Sequence, residues 1–263
     1  MEFRNKFGHE PMCDEKLIKS RNKKTSRKLK TKLTVDSPII QLFTFDYNQK
    51  RTVIGTDEAG RGSGVGAVFA SAVCFQNRNK DLIERLINLN DSKKVTKKHR
   101  EELYEIIKNE TINSTVYAGV DVIERKNILQ ASLGAMRQAV EDVEEEADYD
   151  RLMVLVDGNF QIPGLKFSQK YVIKGDGRSA SIAAASILAK VERDRYMLRL
   201  DEEYPQYGWA KNNGYLTKDH MAAIDKYGLS PYHRKSYLEK HFAKQEQLNL
   251  FEDCKWEKYL YFY

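Results

Sequence analysis

The chain has 263 residues, 41% of them hydrophobic, and a formal net charge of +6 at pH 7. That length holds one large domain or two small ones around a sizeable core. No apolar run is long enough to span a bilayer, the N-terminus lacks the apolar core of a signal peptide, and the three cysteines, Cys13, Cys74 and Cys254, are far apart and odd in number; a membrane protein, a secreted one and a disulfide scaffold are not expected, and a monomer in a reducing cytoplasm is.

The charge is concentrated. Residues 16–32 carry nine basic residues and no acid, so the rest of the chain is mildly acidic. Residues 1–50 are expected to be a basic arm, poor in large apolar residues and unpacked. The arm reads equally well as a phosphate-binding tail that adds salt-sensitive affinity and as a solubiliser. Gln41-Leu42-Phe43 within it reads as a strand or a packing segment.

The expected body is 51–240. It opens with a short strand over 51–55 and a second over 66–75, then a short helix over 82–87 and a polar loop, Asp91-Ser92-Lys93-Lys94. Thr96 is placed to cap a helix running to Lys108, and the β-branched, alternating stretch 111–120 predicts a strand. Asn127 caps a helix whose apolar positions Ile128, Leu129, Leu133, Met136 and Val140 follow a helical period, and an exposed acidic turn is expected over 141–150. The continuous apolar run Leu152-Met153-Val154-Leu155-Val156 suits a strand buried on both faces. A short strand at 171–173, an alanine-rich helix from Ser179 to Glu203, and a helix capped by Thr217 and closed by Gly228 complete the body. Strands interleaved with helices indicate an α/β domain with a mixed sheet. Residues 241–263 are a polar, helix-prone tail with aromatic residues.

Chemistry concentrates in Thr56-Asp57-Glu58-Ala59-Gly60-Arg61-Gly62, where two adjacent acids between strands run into a glycine-arginine-glycine loop. Acids are depleted in strands and costly to bury unpaired, and the natural partner of two close carboxylates is a hard cation such as Mg²⁺. Asp157 ends the buried strand before Gly158-Asn159, and Asp176 follows the strand at 171–173 in Lys174-Gly175-Asp176-Gly177. Taken singly, each of these two is a turn residue. Taken with Asp57 and Glu58, all four acids fall at strand ends, where α/β sheets assemble sites and where metal-assisted phosphoryl transfer needs carboxylates.

These segments resemble the ordered motif set of ribonuclease HII: Asp57-Glu58-Ala59-Gly60-Arg61-Gly62, Asp91-Ser92-Lys93-Lys94, Val156-Asp157-Gly158-Asn159, Lys174-Gly175-Asp176, the helix run 181–194, Gly214-Tyr215-Leu216-Thr217-Lys218-Asp219-His220 and Ser230-Pro231-Tyr232-His233-Arg234. The resemblance covers about 53–238. Ser63 stands where the family usually has proline, and the related ribonuclease HIII type lacks the Gly-Arg-Gly. The resemblance implies a ribonuclease H-like fold, a central mixed β-sheet flanked by helices, with a helical C-terminal extension. It implies an endonuclease acting on RNA–DNA hybrids and on duplex DNA with embedded ribonucleotides, cutting 5′ of the ribonucleotide with Mg²⁺ or Mn²⁺. Asp57, Glu58, Asp157 and Asp176 would be its catalytic acids, the first three as direct metal ligands.

Reading RNA against DNA requires contact with the 2′-hydroxyl, and the resemblance gives that contact to Gly60, Arg61 and Gly62, the deoxyribose side of a junction to Tyr215, and a phosphate contact to Lys93. Without it, the loop would read as a tight turn and Tyr215 as packing. Asp194 is expected in a salt bridge with Arg193 or Arg195, and His220 and His233 as structural. In the tail, Gln247-Leu248-Asn249-Leu250-Phe251 resembles the peptide by which bacterial replication proteins dock on the sliding clamp, with Gln247, Leu248, Leu250 and Phe251 as the contacts; an amphipathic helix packing on the body is the other reading. A nucleic-acid-binding protein with a catalytically idle body is the alternative class.

Overall fold

The computed structural model describes residues 4–5, 33–90, 95–147, 151–239 and 241–243. Lys93, the whole basic run at 16–32 and the segment containing Gln247, Leu248, Leu250 and Phe251 lie outside them. The elements in chain order are β1 (Arg4–Asn5), α1 (Pro38–Tyr47), β2 (Thr52–Ala59), β3 (Val68–Cys74), α2 (Lys80–Arg85), α3 (Lys97–Glu110), β4 (Ile112–Ala118), α4 (Val120–Lys126), α5 (Ile128–Ala147), β5 (Leu152–Asp157), β6 (Ser168–Val172), α6 (Ala180–Glu203), α7 (Trp209–Asn212) and α8 (Lys218–Tyr227).

The strands form one mixed sheet in the order β1-β4-β3-β2-β5-β6. β1, β4, β3 and β2 pair antiparallel, and β5 and β6 join parallel to β2. Successive strand residues face opposite sides, and both sides are covered. Ile54, Val154 and Val156 pack with α5 on one face. Val53, Leu155 and Val172 meet Ile182 of α6 on the other, where α1 and α3 also lie over α6. The run 152–156 is thus a strand buried on both faces. A smaller apolar group, including Val65, Met197, Trp209, Ile224 and Leu238, joins the second half of α6 to α7 and α8.

The caps expected at Thr96, Asn127 and Thr217 each accept a backbone N–H, and Ser179 caps α6 in the same way. Three stretches differ from expectation. The acids at 141–147 are helical rather than a turn, because Val143 and Ala147 extend the buried stripe of α5. β6 begins at Ser168, and Ile173, expected within it, is exposed beyond its end. Residues 38–47, expected within an unpacked arm, form α1, which buries Ile39, Leu42 and Phe43, so that Gln41-Leu42-Phe43 is a packing segment rather than a strand. α1 is fastened by Asp46, a fully buried acid that accepts from Ser179 Oγ at 2.5 Å, Ser181 N at 2.9 Å and Ser181 Oγ at 2.8 Å.

Candidate active site

β2 runs three residues past its last pairing with β5 and stays paired with β3, so Asp57 lies opposite Ser71 and Glu58 opposite Ala70. The two acids therefore sit inside a strand rather than after its end. The β2–β5 register closes at Thr56 and Val156, and one further step along these parallel strands sets Asp57 beside Asp157. Asp57 turns toward α6, where the Ser186 hydroxyl bonds its carboxylate, and its Oδ1 accepts the Glu58 N–H at 2.7 Å. α6 can come this close because position 55 is glycine: a Cβ there would lie 2.3 Å from the Ile182 nitrogen.

Asp157 Oδ1 accepts from the Gly175 N–H at 2.7 Å, which ties the end of β5 to the 3₁₀ turn Gly175–Gly177 bearing Asp176. Asp57, Glu58, Asp157 and Asp176 then line one cleft of about 400 Å³ together with the Gly60–Gly62 loop and Tyr215. The structure thus brings together every predicted site residue that it describes. Asp57 is 6% exposed. Burial, followed by the charges of Glu58 and Asp157, pushes its carboxyl well above the usual range. Burial also raises Glu58, while Arg61 Nη1, 3.2 Å from its Oε1, opposes the rise.

These acids form an all-oxygen donor set whose mutual repulsion a hard cation would relieve. Among the described residues, no group of three or more His, Cys, Asp or Glu side chains is arranged to hold an ion as it stands. Glu58 leans on Arg61 and Asp157 on Gly175, so a bound ion would draw these carboxylates inward.

The facing wall is the glycine loop. Gly60 has φ +102°, and a Cβ there would fall 2.3 Å from Arg193 Nε, so only glycine fits. The Arg61 carbonyl accepts from Tyr237 Oη at 2.6 Å and from Arg234 Nη1 at 3.2 Å. Arg234 Nε also donates to the Gly66 carbonyl at 2.9 Å. Ser63 is fully buried; its hydroxyl donates to the Val65 carbonyl at 2.9 Å and lies 3.4 Å from that of Asn213. It thereby joins the loop to the segment leading to Tyr215, which accounts for a polar residue at this position. A Cβ on Gly62 would be 3.6 Å from the ring of Tyr215, which stands 49% exposed across the gap.

The Tyr215 backbone is held in turn by the histidines. The Ser230 N–H donates to His233 Nδ1 at 2.9 Å, so the proton of neutral His233 is on Nε2, 3.2 Å from His220 Nε2. His220 Nε2 also accepts from Trp209 Nε1 at 3.0 Å, leaving His220 Nδ1–H to donate to the Tyr215 carbonyl at 2.9 Å. This pattern needs both rings neutral. Burial lowers both, and the proximity of His220 helps bring His233 to about 4.

Ser186, Lys190 and Arg193 of α6 also line the cleft, and sequence reasoning missed them as site residues. Their spacing of four and three residues sets them on one face of α6, a signal that was available. The pairing expected for Asp194 is corrected: it binds Lys190 at 2.6 Å and Arg100 at 3.2 Å. Arg195 instead reaches Glu101 at 2.7 Å, and Arg193 donates to the Asn213 carbonyl at 2.8 Å.

A mixed sheet covered by helices, with acids gathered where its central parallel strands end, defines a ribonuclease H-like α/β protein. Ribonuclease H2 of Pyrococcus horikoshii OT3 shares this fold with a TM-score of 0.56 at 24% identity, over 73% of this chain and 99% of that one. Ribonuclease HII of Archaeoglobus fulgidus, solved as a complex with PCNA, gives a TM-score of 0.56 at 22% identity, over 70% and 93%. Residues 54–244 match the family model described as Ribonuclease HII. The ribonuclease HII of Christiangramia forsetii is 45% identical over 192 residues, 73% of this chain and 92% of its own length. That of Fusobacterium nucleatum is 43% identical over 214 residues, 81% and 96%. The chain belongs to the ribonuclease HII family and is a ribonuclease H-type hydrolase. Among the described residues, no helix is long and apolar enough to cross a membrane.

Proposed function

We propose that this endonuclease cuts the RNA strand of RNA–DNA hybrids and incises duplex DNA on the 5′ side of embedded ribonucleotides, leaving a 3′-hydroxyl and a 5′-phosphate. The observation that carries this reading is the buried Asp57, beside Glu58 and Asp157, in the same cleft as Gly60, Arg61, Gly62 and Tyr215. Asp57, Glu58 and Asp157 would hold two divalent ions, Mg²⁺ or Mn²⁺, with Asp176 assisting at the second ion or the attacking water. Such ions supply an activated water and charge stabilisation for the departing 3′-oxygen.

The chain's own groups do the rest. Ser186 and the Glu58 N–H orient Asp57, and Gly175 orients Asp157. Arg61 stays protonated and cannot act as a base; its side chain steadies Glu58 while its carbonyl is anchored from below. The loop offers backbone groups to the ribose 2′-hydroxyl, and Tyr215 packs on the neighbouring deoxyribose. Lys93 meets a backbone phosphate, and the basic run at 16–32 adds salt-sensitive affinity. The 247–251 peptide docks on a replication sliding clamp, with Leu250 and Phe251 as anchors.

The test is a duplex carrying one ribonucleotide, incubated with Mg²⁺ or Mn²⁺. Incision by the wild type and its loss in Asp57→Asn are expected; no incision, or equal incision by the variant, would overturn the proposal.

A further inference from the structure

We propose that Arg193 is a positioning residue that couples the Gly60–Gly62 loop to the Tyr215 segment, so that the two strike a ribose–deoxyribose junction as one unit. This rests on the roles given to both segments in the proposed function.

Arg193 lies on α6 at 1% exposure, and among the described residues it makes no ion pair. Its Nη2 donates to the Asn213 carbonyl, two residues before Tyr215. Its Nε is buried without a partner, directly beneath Gly60. A buried unpaired donor is destabilising, and burial pulls the guanidinium below its usual range. A second buried arginine, Arg234, lies close enough to oppose it further. For stability alone, an apolar side chain of this length would serve better. What the guanidinium provides is a rigid bar with one end under Gly60 and the other on Asn213.

The remaining bonds make this bar decisive. Arg234 holds the loop at Arg61, Gly64 and Gly66 from the side of the molecule that includes Tyr237. The Gly64 N–H donates to the Gly214 carbonyl at 3.0 Å, which closes the far end of the loop against the Tyr215 segment. Arg193 is the tie at the near end, beside the gap between Gly62 and the Tyr215 ring. Without it, each segment keeps its own fold while the near end of the gap is left to the longer contact of Ser63 Oγ, 3.4 Å from the same Asn213 carbonyl that Arg193 holds at 2.8 Å.

A substrate of uniform RNA on DNA has no deoxyribose for Tyr215 beside the cut, whereas a single embedded ribonucleotide does. Single-turnover cleavage of both duplexes is measured for the wild type, Arg193→Lys, Tyr215→Ala and the double variant, together with their melting temperatures. Arg193→Lys is expected to lower the ratio of junction to uniform cleavage about tenfold, with melting within a few degrees of wild type. The double variant should fall no lower in that ratio than Tyr215→Ala alone. Proportional losses on both duplexes, or effects that multiply in the double variant, would overturn the coupling. Arg193→Met, which removes the buried charge and keeps the length, decides by the same ratio if the lysine variant does not fold. A wild type that cuts neither duplex overturns the functional reading and this inference with it, a pattern distinct from every outcome above.

Discussion

One wall of the cleft is the end of a hydrogen-bonded sheet, and the other is a glycine loop propped on two buried guanidiniums. The carboxylate wall places its acids by strand register: Asp57 and Asp157 are neighbours because β2 and β5 are parallel and aligned. The loop wall has no such lattice. Its shape comes from single bonds to the Arg61, Gly66 and Asn213 carbonyls, and from two histidines behind Tyr215. The walls also answer pH in opposite directions. Asp57 and Glu58 are raised, so the folded state binds more protons than the unfolded one, and this wall loses stability as pH rises. The histidines are lowered, so the other wall loses stability as pH falls. The crowded acids therefore cost stability at neutral pH, whereas the neutral histidine pair behind Tyr215 is hydrogen-bonded there.

The largest break in this contrast is expected from Asp157→Asn. It should reduce incision by about a thousandfold or more in a gel assay, a scale set by loss of transition-state charge stabilisation. The melting temperature should hold or rise, because a repelling charge leaves the side of Asp57. A drop in stability matching the loss of activity would blur the two walls into one.

Gly60→Ala should act on the other wall alone. A side chain at φ +102° with Arg193 Nε at 2.3 Å adds strain of about 1–3 kcal/mol. Incision at a single ribonucleotide should fall roughly ten- to a hundredfold, while calorimetric binding of Mn²⁺ is unchanged.

The third effect is the acid limb of stability. A histidine at about 4 in the folded state, against an ordinary 6.5, destabilises the fold progressively as pH drops through that window. At about 1.4 kcal/mol per unit, the loss approaches 3 kcal/mol near pH 4. Urea unfolding at pH 7 and pH 4.5 reads it, and His233→Asn should flatten the difference.

The sequence and the structure meet unevenly across these walls. The four acids were legible because a carboxylate near a glycine at the end of an apolar run is conspicuous, and the caps were legible because Thr96, Asn127 and Thr217 act within three residues of themselves. α1 was not recognised as a helix, and Asp46 escaped notice because its partners Ser179 and Ser181 are far along the chain. Propensity gave no reason to run β2 through Asp57 and Glu58; continued pairing with β3 did that. Arg193 looked like an ion-pair partner for its neighbour Asp194, yet adjacent helical residues do not face one another, and its bond goes to Asn213. Local chemistry was readable, and the long-range props of the loop were not.

The central claim is that Asp57, Glu58 and Asp157 are held close, against their own repulsion, in order to share a cation. Calorimetric titration of Mn²⁺ into the wild type and into Asp57→Asn tests it without any substrate. Saturable binding by the wild type, lost or much weakened in the variant while the variant melts at or above the wild-type temperature, is the predicted result. Identical isotherms for the two proteins would contradict it.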